Sequence, residues 1–65
     1  VESLSAREQE VLALAAQGLD NEAIVARLTL SLRTVERHLQ NVYLKLGLHG
    51  RNARAAAVAR FLAPA

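Results

Sequence analysis

Residues 31–47, with the sequence SLRTVERHLQNVYLKLG, decide the fold because they give one helix two chemically different faces. Apolar side chains recur there at intervals of three and four residues, at Val35, Leu39, Val42 and Leu46. That spacing places them on one stripe of an α-helix, and long polar side chains occupy the opposite stripe. The pattern predicts a helix that buries one face in a core and leaves the other free to reach a ligand.

Both ends of this helix carry boundary signals. Ser31 can cap the first turn, because its side-chain oxygen can accept a hydrogen bond from a backbone N–H group there. Gly47 can adopt the left-handed conformation that closes a helix. We therefore predict a helix over residues 32–46.

Two shorter helices are predicted before it. Ser5 and Glu8 have the spacing of a capping box, which begins a helix over residues 6–17 that Gly18 ends. After Asp20, a suitable N-cap, the pattern favours a helix over residues 21–28. Only Thr29, Leu30 and the capping Ser31 then separate that helix from its successor, so we expect the pair to cross steeply, as in a helix-turn-helix.

A fourth helix is predicted over residues 51–62, rich in alanine and stopped by Pro64. The fold class is therefore all-α: a four-helix bundle that contains a helix-turn-helix. A length of 65 residues predicts one domain over residues 1–65. Because position 1 is Val and not Met, the chain is either a processed product or, as we expect, part of a longer protein.

Composition argues against several classes of function. The chain has no cysteine, which removes disulfides and thiolate metal sites and favours the cytoplasm. Its two histidines, His38 and His49, lie among arginines and lysines that would repel a cation, so we expect no metal and no cofactor. No apolar run is long enough to span a bilayer, and no signal peptide opens the sequence.

Charge is distributed unevenly along the chain, although its net value is only +2. Residues 1–28 hold two arginines and five acidic residues, a net −3, whereas residues 29–65 hold six basic residues and Glu36 alone, a net +5. The basic part begins where the central helix begins. Such asymmetry indicates a polyanionic partner, although a run of charge is also typical of a solvated surface.

Several motifs occur together and in order along the chain. They are LSxRExEVL, GxxN and SxxTVxxHxxNxxxKL, carried by the strings LSAREQEVLALAAQGLDNEAI and ARLTLSLRTVERHLQNVYLKLGL and followed by Arg51. In these residues the chain resembles the DNA-binding domain of LuxR/FixJ-type response regulators and quorum-sensing activators. The resemblance covers nearly the whole chain.

This resemblance implies a four-helix domain that binds duplex DNA through its third helix in the major groove. It further implies a homodimer on an inverted-repeat promoter site, formed around helix four from Arg51 to Leu62. The domain would be the C-terminal part of a bacterial regulator whose upstream part senses a signal. A contact with RNA polymerase is a further expectation.

Carried over position by position, the base-reading residues of the family fall on Glu36, Arg37 and Gln40. Their chemistry suits that role. Arginine can donate two hydrogen bonds to guanine, glutamine can pair with adenine, and glutamate can accept from N4 of cytosine.

Other side chains are expected to contact the DNA backbone and so to position the domain. These candidates are Asn21, Ser31, Arg33, Thr34, His38 and Lys45. Four have a structural alternative: Ser31 as a cap, Thr34 bonded within its own helical turn, His38 packed or helix-bonded, and Lys45 placed by the helix dipole.

Five positions depart from the family pattern, and two of them are Ala23 and Val25, which replace what is usually Glu then Ala in the second helix. Glu36 stands where Lys or Arg is frequent; either it reads cytosine or it neutralises Arg33 one turn earlier, and we favour the second. Gly50 stands where a capping Asn or Ser is common, and Arg54 where a small residue is usual. The last two departures fall at the start of the fourth helix.

Other functions remain as alternatives or are excluded. The second interpretation, after sequence-specific DNA binding, is a helical interaction module that docks a partner through helix four and Leu44. The promoter-reading end of a sigma factor, which uses a similar helix-turn-helix, is a close relative of the DNA-binding interpretation. An enzyme is not expected, because Ser31 and His38 lack a carboxylate placed to orient the histidine. Tyr43 and Phe61, the only aromatic residues, cannot form a stacking platform for single strands or RNA.

Overall fold

The computed structural model describes residues 3–64 of the chain. The helices are α1 (Ala6–Ala16), α2 (Asn21–Leu28), α3 (Leu32–Lys45) and α4 (Ala53–Leu62). The predicted all-α class with four helices is therefore confirmed, and these residues contain no strand. Over the same range, no helix has the length and apolar character needed to cross a bilayer.

The helix boundaries differ from the predicted ones chiefly at the start of α4. Both α1 and α3 end one residue earlier than predicted, a difference within the usual uncertainty of helix ends. The last helix begins at Ala53 and not at Arg51, because Gly50 takes a φ of 85° and turns the chain. The Ala53 backbone N–H donates to the Gly50 carbonyl at 3.2 Å, which closes that turn before the helix starts.

The third helix, like the first, contributes side chains to both parts of the core. One apolar cluster joins α1, α2 and α3, and it contains Val35 and Leu39. A second cluster joins α1, α3 and α4, and it contains Val42. All three side chains are buried, as the apolar stripe predicted, and burying each contributes about 1.5–3 kcal/mol.

The fourth helix packs through alanines. Ala53 and Ala57 are its buried residues, and the bulkier Val58 and Phe61 lie at the edge of the second cluster. Because alanine has only a methyl group, the backbone of α4 can approach its neighbours closely.

A glycine closes α3 as predicted. Gly47 has a φ of 71°, its N–H donates to the Leu44 carbonyl at 3.2 Å, and the N–H of Leu48 donates to the Tyr43 carbonyl at 2.7 Å. These two bonds form a Schellman motif. The motif turns Leu48 back towards the second cluster, against which it packs.

The turn between α2 and α3 holds a strained residue. Thr29 has a φ of 56°, and within residues 3–64 it is the one non-glycine residue with a positive φ. Its conformation lets the Leu30 N–H donate to the Val25 carbonyl at 3.2 Å, and Leu30 then packs against the first cluster. A β-branched side chain in this region costs about 1–2 kcal/mol, so the short turn is formed against a local energy penalty.

A buried carboxylate ties the start of α1 to the end of α3. Glu8 is 5% exposed, and its Oε1 accepts from the Ser5 N–H at 2.9 Å and from Lys45 Nζ at 2.7 Å. Ser5 Oγ in turn accepts from the Glu8 N–H, so the predicted capping box is confirmed. The Lys45 hydrogen bond, followed by that from Ser5, lowers the pKa of Glu8 below its ordinary value of 4.5, against the opposing effect of burial.

We predict that the Glu8–Lys45 pair makes stability depend on pH. Because the folded-state pKa of Glu8 lies below 4.5, the pair stabilises the fold above that pH and this contribution is lost as pH falls through the lowered pKa. At pH 7, Glu8→Gln should reduce the free energy of unfolding by about 1–2 kcal/mol, a value discounted for the exposure of the lysine. Urea unfolding at pH 7 and at pH 3 measures this difference.

The control for this experiment is Glu10→Gln, since Glu10 pairs with Arg7 at 3.4 Å on an exposed surface. That change should cost less than about 0.5 kcal/mol at either pH. An equal Glu8→Gln penalty at both pH values would contradict the proposed role of the ionised carboxylate.

A second prediction concerns the strained turn. Replacing Thr29 with glycine removes the Cβ that makes its left-handed conformation unfavourable, and we expect a gain of about 0.5–1 kcal/mol. For a domain of this size that gain raises the melting temperature by about 2–8 °C, measured by circular dichroism. Thr29→Ala is the control, because it removes the side-chain atoms beyond Cβ but keeps the Cβ that causes the strain. An equal gain in melting temperature from both changes would contradict the conclusion that the Cβ of Thr29 is the source of the strain.

Candidate nucleic-acid interface

The exposed stripe of α3 carries long polar side chains with no partner in the described residues. Arg33, Arg37 and Gln40 follow one another at intervals of four and three, so they lie on one line along the helix. All three side chains are exposed, and within residues 3–64 none of these side chains makes a hydrogen bond or ion pair. Leu44, 68% exposed, continues the same line at its C-terminal end.

The N-terminus of α3 presents two hydroxyl groups next to this stripe. Ser31 Oγ accepts from the Thr34 N–H at 3.1 Å, so the predicted cap is confirmed. The same oxygen lies 2.8 Å from Thr34 Oγ1, in a second hydrogen bond between the two side chains. Both structural alternatives therefore hold, and both hydroxyls remain at an accessible helix end.

Glu36 faces the flank of the stripe and not its centre. Its carboxylate makes no ion pair with Arg33 in the described part of the chain, and the neutralisation of Arg33 one turn earlier stays a prediction. Glu36 instead lines a groove beside α3. The glutamate carboxylate therefore remains unpaired on the candidate interface.

This groove, of about 370 Å³, lies where α2, α3 and α4 meet. Its lining residues are Asn21, Glu36, Leu39, Gln40, Tyr43 and Arg54. Arg54 reaches from α4 to the start of α2, where Nη1 donates to Asn21 Oδ1 at 2.6 Å and Nη2 donates to the Leu19 carbonyl at 2.7 Å. The groove therefore brings Asn21, a candidate for contact with the DNA backbone, beside Glu36 and Gln40, which are candidates to read bases.

Two other candidates lie away from the stripe. Lys45 donates to the buried Glu8 on α1, and so it contributes to the fold at the end of α3 farthest from Ser31. His38 is half-buried and makes no hydrogen bond in residues 3–64. Of the six residues proposed to contact the DNA backbone, Arg33 lies on the exposed stripe and Asn21 lines the groove beside it.

The histidines and carboxylates do not form a metal site in the part of the chain that the structure describes. No three side chains of His, Cys, Asp or Glu lie together there. The polar groups that line the groove are two amides, a carboxylate, a phenol hydroxyl and a guanidinium, which suit hydrogen bonding to another polar surface.

Two hydrogen-bonded side-chain pairs that link distant parts of the fold escaped sequence reasoning. The Glu8–Lys45 pair spans 37 residues, and the Arg54–Asn21 pair spans 33. Arg54 did carry a signal, since it departs from the small residue that is usual in the resembled family. Its partner could not be inferred without knowing how α4 packs.

Comparison with known families gives a match over most of the chain. Residues 2–59 match the sequence model of the family GerE, described as "Bacterial regulatory proteins, luxR family". The matched range includes all of α1, α2 and α3.

The chain is also similar to curated transcription regulators. It is 51% identical over 51 residues to the probable transcriptional regulatory protein SgaR of Hyphomicrobium methylovorum. The aligned segment covers 78% of this chain and 24% of that protein. It is 49% identical over 49 residues to a putative HTH-type transcriptional regulator of Mycobacterium tuberculosis, covering 75% of this chain and 6% of that protein. A nitrate/nitrite response regulator protein homolog of Haemophilus influenzae is 43% identical over 53 residues, covering 82% of this chain and 26% of that protein.

Proposed function

Because the chain belongs to the luxR family of bacterial regulatory proteins, we propose that α3 lies in the major groove of duplex DNA and reads base pairs there. The family match and the similar regulators make the chain a DNA-binding transcription-regulator domain and not an enzyme. The chain spans about a quarter or less of those regulators, so its place as the C-terminal part of a longer bacterial regulator is part of the proposal.

The observation that carries the proposal is the unpartnered polar stripe of α3. Arginine and glutamine side chains on it make no hydrogen bond or ion pair within residues 3–64, while the opposite face of the same helix is buried. A major groove about 12 Å wide admits one α-helix. The stripe is therefore available to meet base edges along its length.

Three side chains are proposed to read bases. Arg37 would donate to guanine O6 and N7, and Gln40 would pair with adenine N6 and N7. Glu36, unpaired at the flank, would accept from N4 of cytosine. These contacts would determine which sequences are bound.

Backbone contacts are proposed to position the helix. Ser31 and Thr34 would offer hydroxyls to phosphate at the N-terminus of α3, and Arg33 would add charge there. Asn21 would reach a phosphate from the start of α2. His38 and Lys45 remain in the proposed set at a greater distance from the stripe, and Lys45 has two ammonium hydrogens left after its bond to Glu8.

A homodimer through α4 is also proposed. Ala55, Ala59 and Leu62 are exposed and recur at intervals of four and three, which gives α4 an apolar stripe on its outer face. Small side chains on such a stripe allow two helices to approach closely. A twofold pair of domains would match an inverted-repeat promoter site.

The regulator is proposed to act in the bacterial cytoplasm, where chromosomal DNA and RNA polymerase are present. Contact with RNA polymerase is an additional proposal.

Leu44 favours the alternative of an interaction module. Its 68% exposure places a large apolar side chain in line with the polar stripe. A salt titration separates the two functions. Binding to DNA should weaken linearly on a log–log plot as salt rises, whereas docking of an apolar partner helix should hardly respond.

We predict different effects for two arginines of the stripe. Arg37→Ala should cost about 1–3 kcal/mol on a duplex selected from a random pool by the unmodified chain, and much less on unselected DNA. Arg33→Ala, the matched control, should weaken binding to both duplexes alike and reduce the salt slope by about one. Fluorescence anisotropy at several fixed salt concentrations measures both effects.

Equal losses on both duplexes for Arg37→Ala would remove that residue from the reading role. Lys45→Ala is a poorer control than Arg33→Ala, because it would leave the buried Glu8 without its ammonium partner and so alter the fold as well.

A further prediction tests the dimer. Ala59→Glu places a charge in the exposed apolar stripe of α4 without touching the core, and should raise the dimer Kd by about ten-fold or more. Sedimentation equilibrium over a range of protein concentrations measures it. The control, Ala6→Glu, adds the same charge to an exposed alanine of α1 and should leave association unchanged. Equal self-association of the unmodified chain, Ala59→Glu and Ala6→Glu would contradict a dimer through α4.

A further inference from the structure

Arg54 is the one α4 side chain that makes two short hydrogen bonds to another part of the fold in the described residues. Its guanidinium donates to Asn21 Oδ1 at 2.6 Å and to the Leu19 carbonyl at 2.7 Å. The two acceptors flank the N-cap of α2, so a single planar group fixes both the chain entering that helix and the first side chain within it.

This contact determines which end of the Asn21 amide is free. Arginine has donors and no acceptor, so only the amide oxygen can face it. The amide nitrogen, with two hydrogens, then makes no hydrogen bond within residues 3–64. No fully buried polar side-chain atom in the described residues lacks a partner, so that nitrogen reaches solvent.

The free amide nitrogen lies at the edge of the proposed interface. Asn21 and Arg54 line the same groove as Glu36 and Gln40, which are candidates to read bases. An amide donor held beside those residues is placed to meet the sugar-phosphate backbone that borders the bases they would read. The nearby positive charge of Arg54 also polarises the amide towards donation.

We propose that Arg54 is a positioning residue for DNA binding: it holds the Asn21 amide oxygen, and thereby directs the amide nitrogen to donate to a backbone phosphate. This inference rests on the proposed function. Arg54 acts through Asn21, and its own two observed bonds serve the fold.

Two double-mutant cycles test the proposal, with the 65-residue chain and the selected duplex at fixed salt. Asn21→Ala should weaken DNA binding about ten-fold, the value of one hydrogen bond to a charged group. Arg54→Met should weaken it about three- to ten-fold, yet add less than about two-fold when Asn21 is already alanine. Arg51→Met is the matched control, because Arg51 is an exposed arginine whose side chain has no partner in residues 3–64. It should change DNA affinity by the same factor whether residue 21 is asparagine or alanine.

The coupling separates positioning from a purely structural role. If Arg54 only stabilised the fold, its loss would lower affinity by the same factor with or without the Asn21 side chain, and that result would overturn the proposal. Thermal melting of each variant fixes the temperature of the binding measurement well below unfolding.

Asn21→Asp provides a test that does not depend on the stability of Arg54→Met. Aspartate can accept the same bond from Arg54, so the melting temperature should be kept or raised, but it cannot donate to phosphate and adds a negative charge. It should therefore bind DNA more weakly than Asn21→Ala. Equal or tighter binding would contradict an amide donor at this position.

The outcomes also distinguish this inference from the proposed function. If Arg37→Ala weakens binding while both Asn21 variants do not, the positioning inference is wrong and reading by α3 stands. If Arg37→Ala has no effect on the selected duplex, reading by α3 is wrong whatever Asn21 does.

Discussion

The burial of one stripe of α3 is the constraint on which the rest of the structure depends. Val35 and Leu39 enter one apolar cluster and Val42 enters the other, so the helix is held at two points along its length. Any rotation about its axis would expose these side chains and drive charged ones towards the core, at a cost of several kcal/mol. The direction of the opposite, polar stripe is therefore set by packing and needs no contact of its own.

The two flanks of α3 serve different purposes. On the α1 side, Lys45 is paired with the buried Glu8, and its charge helps to hold the end of the helix. On the other side, the groove shared with α2 and α4 leaves Glu36 unpaired, and Arg54 bonds Asn21 there. A cation thus satisfies a buried acid on one flank, while the other flank keeps polar groups that can contact a ligand. One helix of a small domain can therefore both stabilise the fold and carry an interface, because each flank of that helix has one of these roles.

Sequence reasoning succeeded where the determining interactions are local. The capping box at Ser5, the cap at Ser31 and the glycine that closes α3 each involve residues within a few positions of one another, and the structure confirms them. It failed where the partner is distant in sequence: the Arg54–Asn21 bond and the Glu8–Lys45 pair depend on how helices pack. The strained Thr29 was also missed, because a β-branched residue there opposes the local preference that a sequence reading relies on.

The unpaired Glu36 gives the proposed interface a physical basis for selectivity. A carboxylate can only accept hydrogen bonds, so beside guanine O6 and N7 or thymine O4 it meets other acceptors and is repelled. Beside an amino group it gains a bond, and near phosphates it always loses some affinity. Arg54 in the same groove offsets part of that repulsion without pairing with the acid. The Glu36 carboxylate on the proposed DNA-binding face therefore weakens binding to most DNA sequences more than it weakens binding to a preferred sequence. Specificity is this difference between the two affinities.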